Sequence, residues 1–261
     1  MKHRRRPGKP HIVAGLTLSL CLAPACLLAG TAFRDSFDRH ADGSSLGGAI
    51  PEIGDSWTVE EGAFERQLVQ SKVTRSGNAL KLTRVQGEKQ VLRGETDPRT
   101  ARLTPGCSMI LRADLYRADP NQAGRLMLSP MGWPGFKPCI WAQANGTFQV
   151  WSCTGGNEWR GRWVDTGMKA GYGVWWTLEI AVRWNAGNEN GRIEGVYDAF
   201  ITRHLSGQAP VRTRIAHDIP TPGWPENAWI HLVIENYDYQ QEATGSETFW
   251  DNVELTVEPA P

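Results

Sequence analysis

Phe249-Trp250-Asp251-Asn252-Val253-Glu254-Leu255-Thr256-Val257 is the stretch whose reading decides the fold. Phe249, Val253, Leu255 and Val257 share one parity, and Trp250, Asn252, Glu254 and Thr256 share the other. A period of two marks a half-buried strand. The Asp-Asn pair inside it stands out, because both residue types are depleted in strands. This strand is expected to tie the end of the chain to Phe33-Arg34-Asp35-Ser36-Phe37-Asp38.

Outward from that stretch, short β-like runs recur between Gly, Pro, Asn and Asp, and helical periodicity is nearly absent. The runs are 79–85, 108–116, 125–129, 139–143, 147–153, 175–184, 195–202, 212–216, 229–236 and 249–257. Many short strands at such spacing predict an all-β, two-sheet antiparallel sandwich of the jelly-roll kind. In 175–184, Trp176, Leu178, Ile180, Val182 and Trp184 form a core face, opposite Trp175, Thr177, Glu179, Ala181 and Arg183. In 229–236, Ile230, Leu232 and Ile234 oppose Trp229, His231, Val233 and Glu235.

Residues 1–32 read as a signal peptide. Lys2, Arg4, Arg5, Arg6 and Lys9 precede an apolar run from Ile12 to Leu28, and the small residues Ala29–Ala32 follow. Cleavage is expected after Ala32; an uncleaved anchor and a lipoprotein formed through Cys26 are weaker alternatives. The whole chain balances 28 basic against 28 acidic residues. Removing the five basic residues of the leader leaves 23 against 28, a net charge of −5. A mature chain without a cationic field is not expected to bind nucleic acid or an anionic membrane. No later apolar run is long enough to span a bilayer as a helix. Residues 33–261 suit one large all-β domain, secreted, periplasmic or held at the cell surface.

Export would permit disulfides. Asn145-Gly146 lies between alternating runs and predicts a hairpin. A three-residue loop at 145–147 would pair Trp141 with Trp151 and Cys139 with Cys153; a two-residue loop would set Cys139 against Ser152. The first register predicts a Cys139–Cys153 bridge and leaves Cys107 as an inert buried thiol. Asn145-Gly146-Thr147 also matches a glycosylation sequon, but the turn accounts for it without a glycan.

Phe33–Phe37, Ala41-Asp42-Gly43-Ser44-Ser45-Leu46-Gly47-Gly48, Trp57 and Gly62 resemble the opening of concanavalin A-like lectin/glucanase (laminin-G-like) domains. Ser76-Gly77-Asn78-Ala79-Leu80, Trp176-Thr177-Leu178-Glu179-Ile180 and Phe249-Trp250-Asp251-Asn252-Val253 resemble later strands of that superfamily, in the same order. The resemblance implies a jelly roll whose concave face binds glycans. It also implies a structural Ca²⁺ near the two termini, for which Asp35, Asp38 and Asp251 are the candidate ligands. A hydrogen-bond lock without metal explains the same residues. Family-16-type glucanases carry Glu-x-Asp-x-x-Glu on one strand; that spacing is absent here, so no catalytic assignment carries over.

All 12 Trp lie beyond residue 32. Exposed indoles stack on sugar rings, and Trp133, Trp141, Trp151, Trp159, Trp163, Trp175, Trp224 and Trp229 are candidates for exposure. The segment Gly155-Gly156-Asn157-Glu158-Trp159-Arg160-Gly161-Arg162-Trp163 reads either as a recognition loop or as a twisted hairpin with solvated arginines. Ligand-binding candidates are therefore Trp159, Arg160, Arg162, Trp163, Trp175, Arg183 and Trp229. Glu179, His231 and Glu235 are candidate catalytic groups, for hydrolysis by a carboxylate pair or for proton abstraction in a lyase. A salt-bridged polar sheet face is the bland explanation. The expected function is recognition of an oligo- or polysaccharide, with a glycan-degrading enzyme and an adhesion or structural module as alternatives.

Overall fold

The computed structural model describes residues 29–85, 88–130, 137–144, 146–154, 157–187, 190–236 and 246–258, with the backbone alone at 154 and 157–159. The expected leader up to residue 28, Trp133 and Asn145 lie outside the described residues. The strands in chain order are β1 Gly30–Asp35, β2 Ser56–Glu61, β3 Gln67–Gln70, β4 Ala79–Arg84, β5 Gln90–Glu95, β6 Ser108–Arg117, β7 Gly124–Pro130, β8 Cys139–Ala142 and β9 Thr147–Thr154. They continue as β10 Asn157–Lys169, β11 Trp175–Trp184, β12 Arg192–Ile193, β13 Gly195–His204, β14 Val211–Pro220, β15 Trp224–Pro225, β16 Ile230–Asn236 and β17 Ser246–Glu258.

Two large antiparallel sheets form a β-sandwich. The first runs β14-β13-β11-β6-β17-β4-β3, with β1 also on β17; the second runs β10-β9-β8-β7-β16-β5-β2. The alternation in β11 is realised as read, with Trp176, Leu178, Ile180, Val182 and Trp184 all in the core. Ile230, Leu232 and Ile234 of β16 face them from the second sheet, beside Leu92, Leu126, Ile140 and Val150. β1 pairs with β17 through Phe33↔Leu255 and Asp35↔Val253, which is the expected tie between the two segments. β1 begins at Gly30 and Ala32 is buried, so a cut after Ala32 would fall inside this strand.

The period of two in β17 does not run straight through. Trp250, Val253, Leu255 and Val257 all enter the core, while Phe249 pairs with Tyr116 on the other face. The cause is a β-bulge between Asp251 and Glu254, where Asn252 adopts φ 49°. Asn tolerates the left-handed region better than most side chains, and an extra residue flips the parity on either side of it. The strand-averse Asp-Asn pair is therefore the bulge itself.

The hairpin between β8 and β9 also differs from expectation. Its register is Ile140↔Val150 and Ala142↔Phe148, which slides Cys139 two residues away from Cys153. Gly146 has φ 87°, and Gln143 and Thr147 close the loop through their backbones. In a three-residue hairpin loop the last residue takes the left-handed conformation. Gly146 fills that position, so the loop is 144–146 rather than 145–147. A slip of two residues keeps both cysteines on one face, but Cys107, Cys139 and Cys153 are all buried and no disulfide joins them. The Cys139–Cys153 bridge is not formed.

Candidate functional site

The side of the second sheet turned away from the core carries the densest functional chemistry. Its residues alternate with core residues on every strand: Arg93 and Glu95 on β5, His231 and Glu235 on β16, Arg125 on β7, Trp141 on β8, Trp151 on β9 and Trp163 on β10. Cross-strand register brings them together. Arg125 opposes Glu235 on one side and Trp141 on the other. Arg93 opposes Val233, and Trp163 opposes Trp151. Gly161 makes room for this packing: a Cβ there would lie 2.8 Å from the Trp151 ring and 2.3 Å from the Ser152 carbonyl oxygen.

At one end three indoles close on a buried ion pair. Arg125 Nη1 donates to Glu235 Oε2 at 3.1 Å, and both side chains are almost fully buried. The guanidinium lies 4.4 Å over the Trp141 ring and 5.6 Å from that of Trp163. Trp163 stands 4.8 Å from Trp141 and 5.2 Å from Trp151, ring to ring. Burial raises the Glu235 carboxyl, against the opposing pull of Arg125. Burial likewise pushes the neighbouring Cys139 thiol up to about 12, so it is no nucleophile.

At the other end lies His231. It is fully buried, and among the described residues neither ring nitrogen has a hydrogen-bond partner. The Trp229 ring packs 4.3 Å from it, held by a bond from its indole N–H to Thr96 Oγ1 at 2.9 Å. Burial lowers the imidazole to about 4, with further lowering from Arg93, Lys137 and Arg102. The ring is thus neutral at neutral pH, with one free donor and one free acceptor. Arg93 bonds Glu95 at 2.9 Å and also pairs with Glu60, while Thr58 Oγ1 donates to Glu95 at 2.7 Å. Burial lowers the Lys137 ammonium.

The sequence candidates do not gather in one place. Glu179 lies on β11 of the first sheet, on its outward face, where Arg112 at 2.8 Å and Arg212 at 2.5 Å hold its carboxylate. Despite burial, those two guanidinium groups keep the carboxyl below its ordinary range. Glu235 and His231 face out from the other sheet, so Glu179 and Glu235 diverge and form no carboxylate pair. Parity told which residues share a face within a strand; it could not tell which sheet the strand joins. Trp163 and Trp229 belong to the second-sheet site. Trp175 and Arg183 lie on the first sheet, the latter paired with Asp198 at 3.3 Å and with Asp218. Residues 157–169 form a strand rather than a loop, and Arg160 and Arg162 are exposed on it. The Trp159 side chain lies outside the described residues. Arg93, Glu95 and Arg125 escaped notice, although Arg93 and Glu95 alternate with core-facing Leu92 and Gly94 as a strand requires.

The terminal carboxylates accept hydrogen bonds from N–H donors. Asp35 Oδ1 accepts from the Phe37 amide at 2.8 Å; Oδ2 accepts from the Trp57 indole at 2.7 Å and lies 2.8 Å from His40 Nε2. Asp251 accepts the amides of Arg75, Ser76 and Asn252 at 3.1, 3.3 and 2.7 Å. N–H donors surround both carboxylates. They form hydrogen-bond locks. Asp198, His217 and Asp218 bring three ligand atoms within 4.8 Å of one another. There the Arg183 guanidinium already bridges both carboxylates, filling the place of a cation.

No family model matches the sequence, and comparison with curated proteins gives no match. Solved structures do align. The marine PL-14 alginate lyase from Aplysia kurodai is 11% identical, with a TM-score of 0.53 over 75% of this chain and 88% of that one. Arcelin-5, a lectin-like defence protein from Phaseolus vulgaris, is 11% identical over 78% of this chain and 92% of its own, with a TM-score of 0.45. A GH131 beta-glucanase catalytic domain from Podospora anserina is 14% identical over 87% of this chain and 95% of its own, with a TM-score of 0.39. At these identities the likeness is one of fold. The chain shares the two-sheet antiparallel β-sandwich fold of that alginate lyase.

Proposed function

We propose that this is an exported carbohydrate-binding protein whose glycan lies against the outward side of the second sheet. The observation that carries the reading is the fully buried His231, with both ring nitrogens unpartnered among the described residues. Buried polar groups are normally hydrogen-bonded; His231 is closed off from solvent here, so a glycan supplies its missing partner only when the side chains over it move aside. Trp163 is half-buried against Trp141 and Trp151 at the edge of this side, and Arg93 and Glu95 offer directional donors and acceptors. Export is supported by the leader-like residues 1–32.

A second reading, a polyuronate lyase, draws support from the cations around His231. Arg93, Arg102 and Lys137 all act on the imidazole. They would neutralise a substrate carboxylate, and the neutral ring would take the proton on the carbon beside it. The electron pair left there forms the carbon–carbon double bond as the glycosidic oxygen departs with a proton from water. A bound carboxylate would also raise the imidazole, making it a stronger base. Hydrolysis by Glu179 and Glu235 is not supported, because these carboxylates face away from each other.

The test is a glycan array followed by product analysis on the best binder. Trp163→Ala should weaken that binding at least tenfold. His231→Ala should weaken binding if the protein only recognises glycan; if it is a lyase, that variant should abolish the ultraviolet-absorbing unsaturated product. A binder indifferent to both substitutions would refute the site.

A further inference from the structure

The first sheet carries an aligned row of side chains on its outward face that no role above requires. Leu68 on β3 opposes Lys81 on β4, and Lys81 opposes Phe249 on β17. Phe249 opposes Tyr116 on β6, Tyr116 opposes Trp175 on β11, and Trp175 opposes His204 on β13. The row thus crosses six strands at right angles. Its middle is an aromatic strip: the Phe249 and Tyr116 centroids are 6.0 Å apart, and those of Tyr116 and Trp175 are 5.5 Å apart. Tyr116 and Trp175 are part-exposed.

One end of the row opens into a cavity of about 370 Å³. Phe249, Lys81, Leu68 and Gln70 line it from the sheet, and Lys72 and Val73 from the segment that follows β3. That segment is pinned alongside the row. Arg75 Nη1 donates to Asp114 at 2.9 Å and lies 2.7 Å from His204 Nε2, while the Arg75 and Ser76 amides hold Asp251. The result is a groove with an aromatic floor, a fixed side wall and a polar pocket at one end. In the pocket Lys81 pairs with Glu247 at 3.2 Å.

We infer that this groove is a second carbohydrate site, for a neutral oligosaccharide of two or three rings. Its apolar ring faces lie on Tyr116 and Trp175, and its terminal hydroxyls enter the pocket. Stacking favours flat aromatic strips, whose rigid rings lose little entropy on binding. The choice of a neutral sugar follows from the pocket's charges: Lys72 and Lys81 are matched by Asp42 and Glu247, so no net field favours an ionised ligand. Cross-strand aromatic pairs also stabilise a sheet, but pairing alone does not call for an adjoining cavity with hydrogen-bonding walls. The site shares no residue with the second-sheet site and stands independently of it.

The experiment is titration calorimetry of the full chain with cello-, xylo-, manno- and laminaritetraose. At least one should bind. Trp175→Ala and Tyr116→Ala should each weaken that binding tenfold or more, Lys72→Ala should weaken it severalfold, and Trp175→Phe should retain most of it. Lys72 lies on the exposed rim, so its substitution tests the pocket even where loss of an aromatic ring harms folding. The inference is overturned if none of the four binds. It is equally overturned if a binder is indifferent to Trp175→Ala and Lys72→Ala, or is lost only with Trp163→Ala.

Discussion

Two buried titratable residues oppose each other in their effect on stability. Asp251 is pushed up to about 7 by burial and by the nearby Asp114, against the pull of three amide donors. Its folded form holds a proton that the unfolded chain gives up near 3.8, so this residue makes the protein less stable as pH rises from about 4 to about 7. His231, lowered to about 4, does the reverse: the unfolded imidazole binds a proton that the folded one refuses, so stability rises between about 4 and 6.5. The two trends overlap and partly cancel in the wild type. Subtracting the melting-temperature profile of Asp251→Asn should leave a difference that falls with pH, and subtracting that of His231→Ala one that rises. Profiles unchanged by either substitution would contradict these assignments. Asp35 is a separate lock. Trp57→Phe removes a buried donor from its carboxylate and trims a core ring, with an expected cost of about 2–4 kcal/mol in denaturant titration. Asp35 and Asp251 could be picked out in the sequence as a pair near the two ends. Their donors could not, because the Trp57 indole and the Arg75 amide meet them only through tertiary contact.

At the scale of elements, periodicity served best where a strand is straight. β11 and β16 alternate without interruption, and their core residues were legible. β17 was misread at Phe249 because a single left-handed Asn252 inverts everything before it. The β8–β9 hairpin was misread by one residue of loop, enough to move Cys139 opposite Trp151's position rather than Cys153. Both errors have the same origin: parity is conserved along a strand but not across a residue that leaves the extended conformation. The hairpin register makes a chemical prediction. Mass spectrometry of the folded protein under non-reducing, alkylating conditions should find Cys139 and Cys153 unbridged once the chain is denatured. A linked pair would mean that β8 and β9 can slide by two residues.

For the whole molecule, the sandwich was legible and the placement of the sites was not. A list of alternating strands says nothing of which sheet each one joins, so Glu179 and Glu235 looked like partners and lie on opposite outer faces. If the terminal carboxylates are hydrogen-bond locks, then a strong chelator should leave the melting temperature unchanged. A fall of several degrees would point to a bound cation. The strand order carries one more implication, for the timing of synthesis. β17 sits between β4 and β6, and β16 between β5 and β7, so the last strand made for each sheet belongs in its middle. Arg34 meets Glu254 across 220 residues of chain. At roughly 5–20 residues per second, β1 waits on the order of tens of seconds for its neighbour to be translated. Neither sheet can close before its central strand has been translated, so both open edges wait exposed until nearly the whole domain has been made.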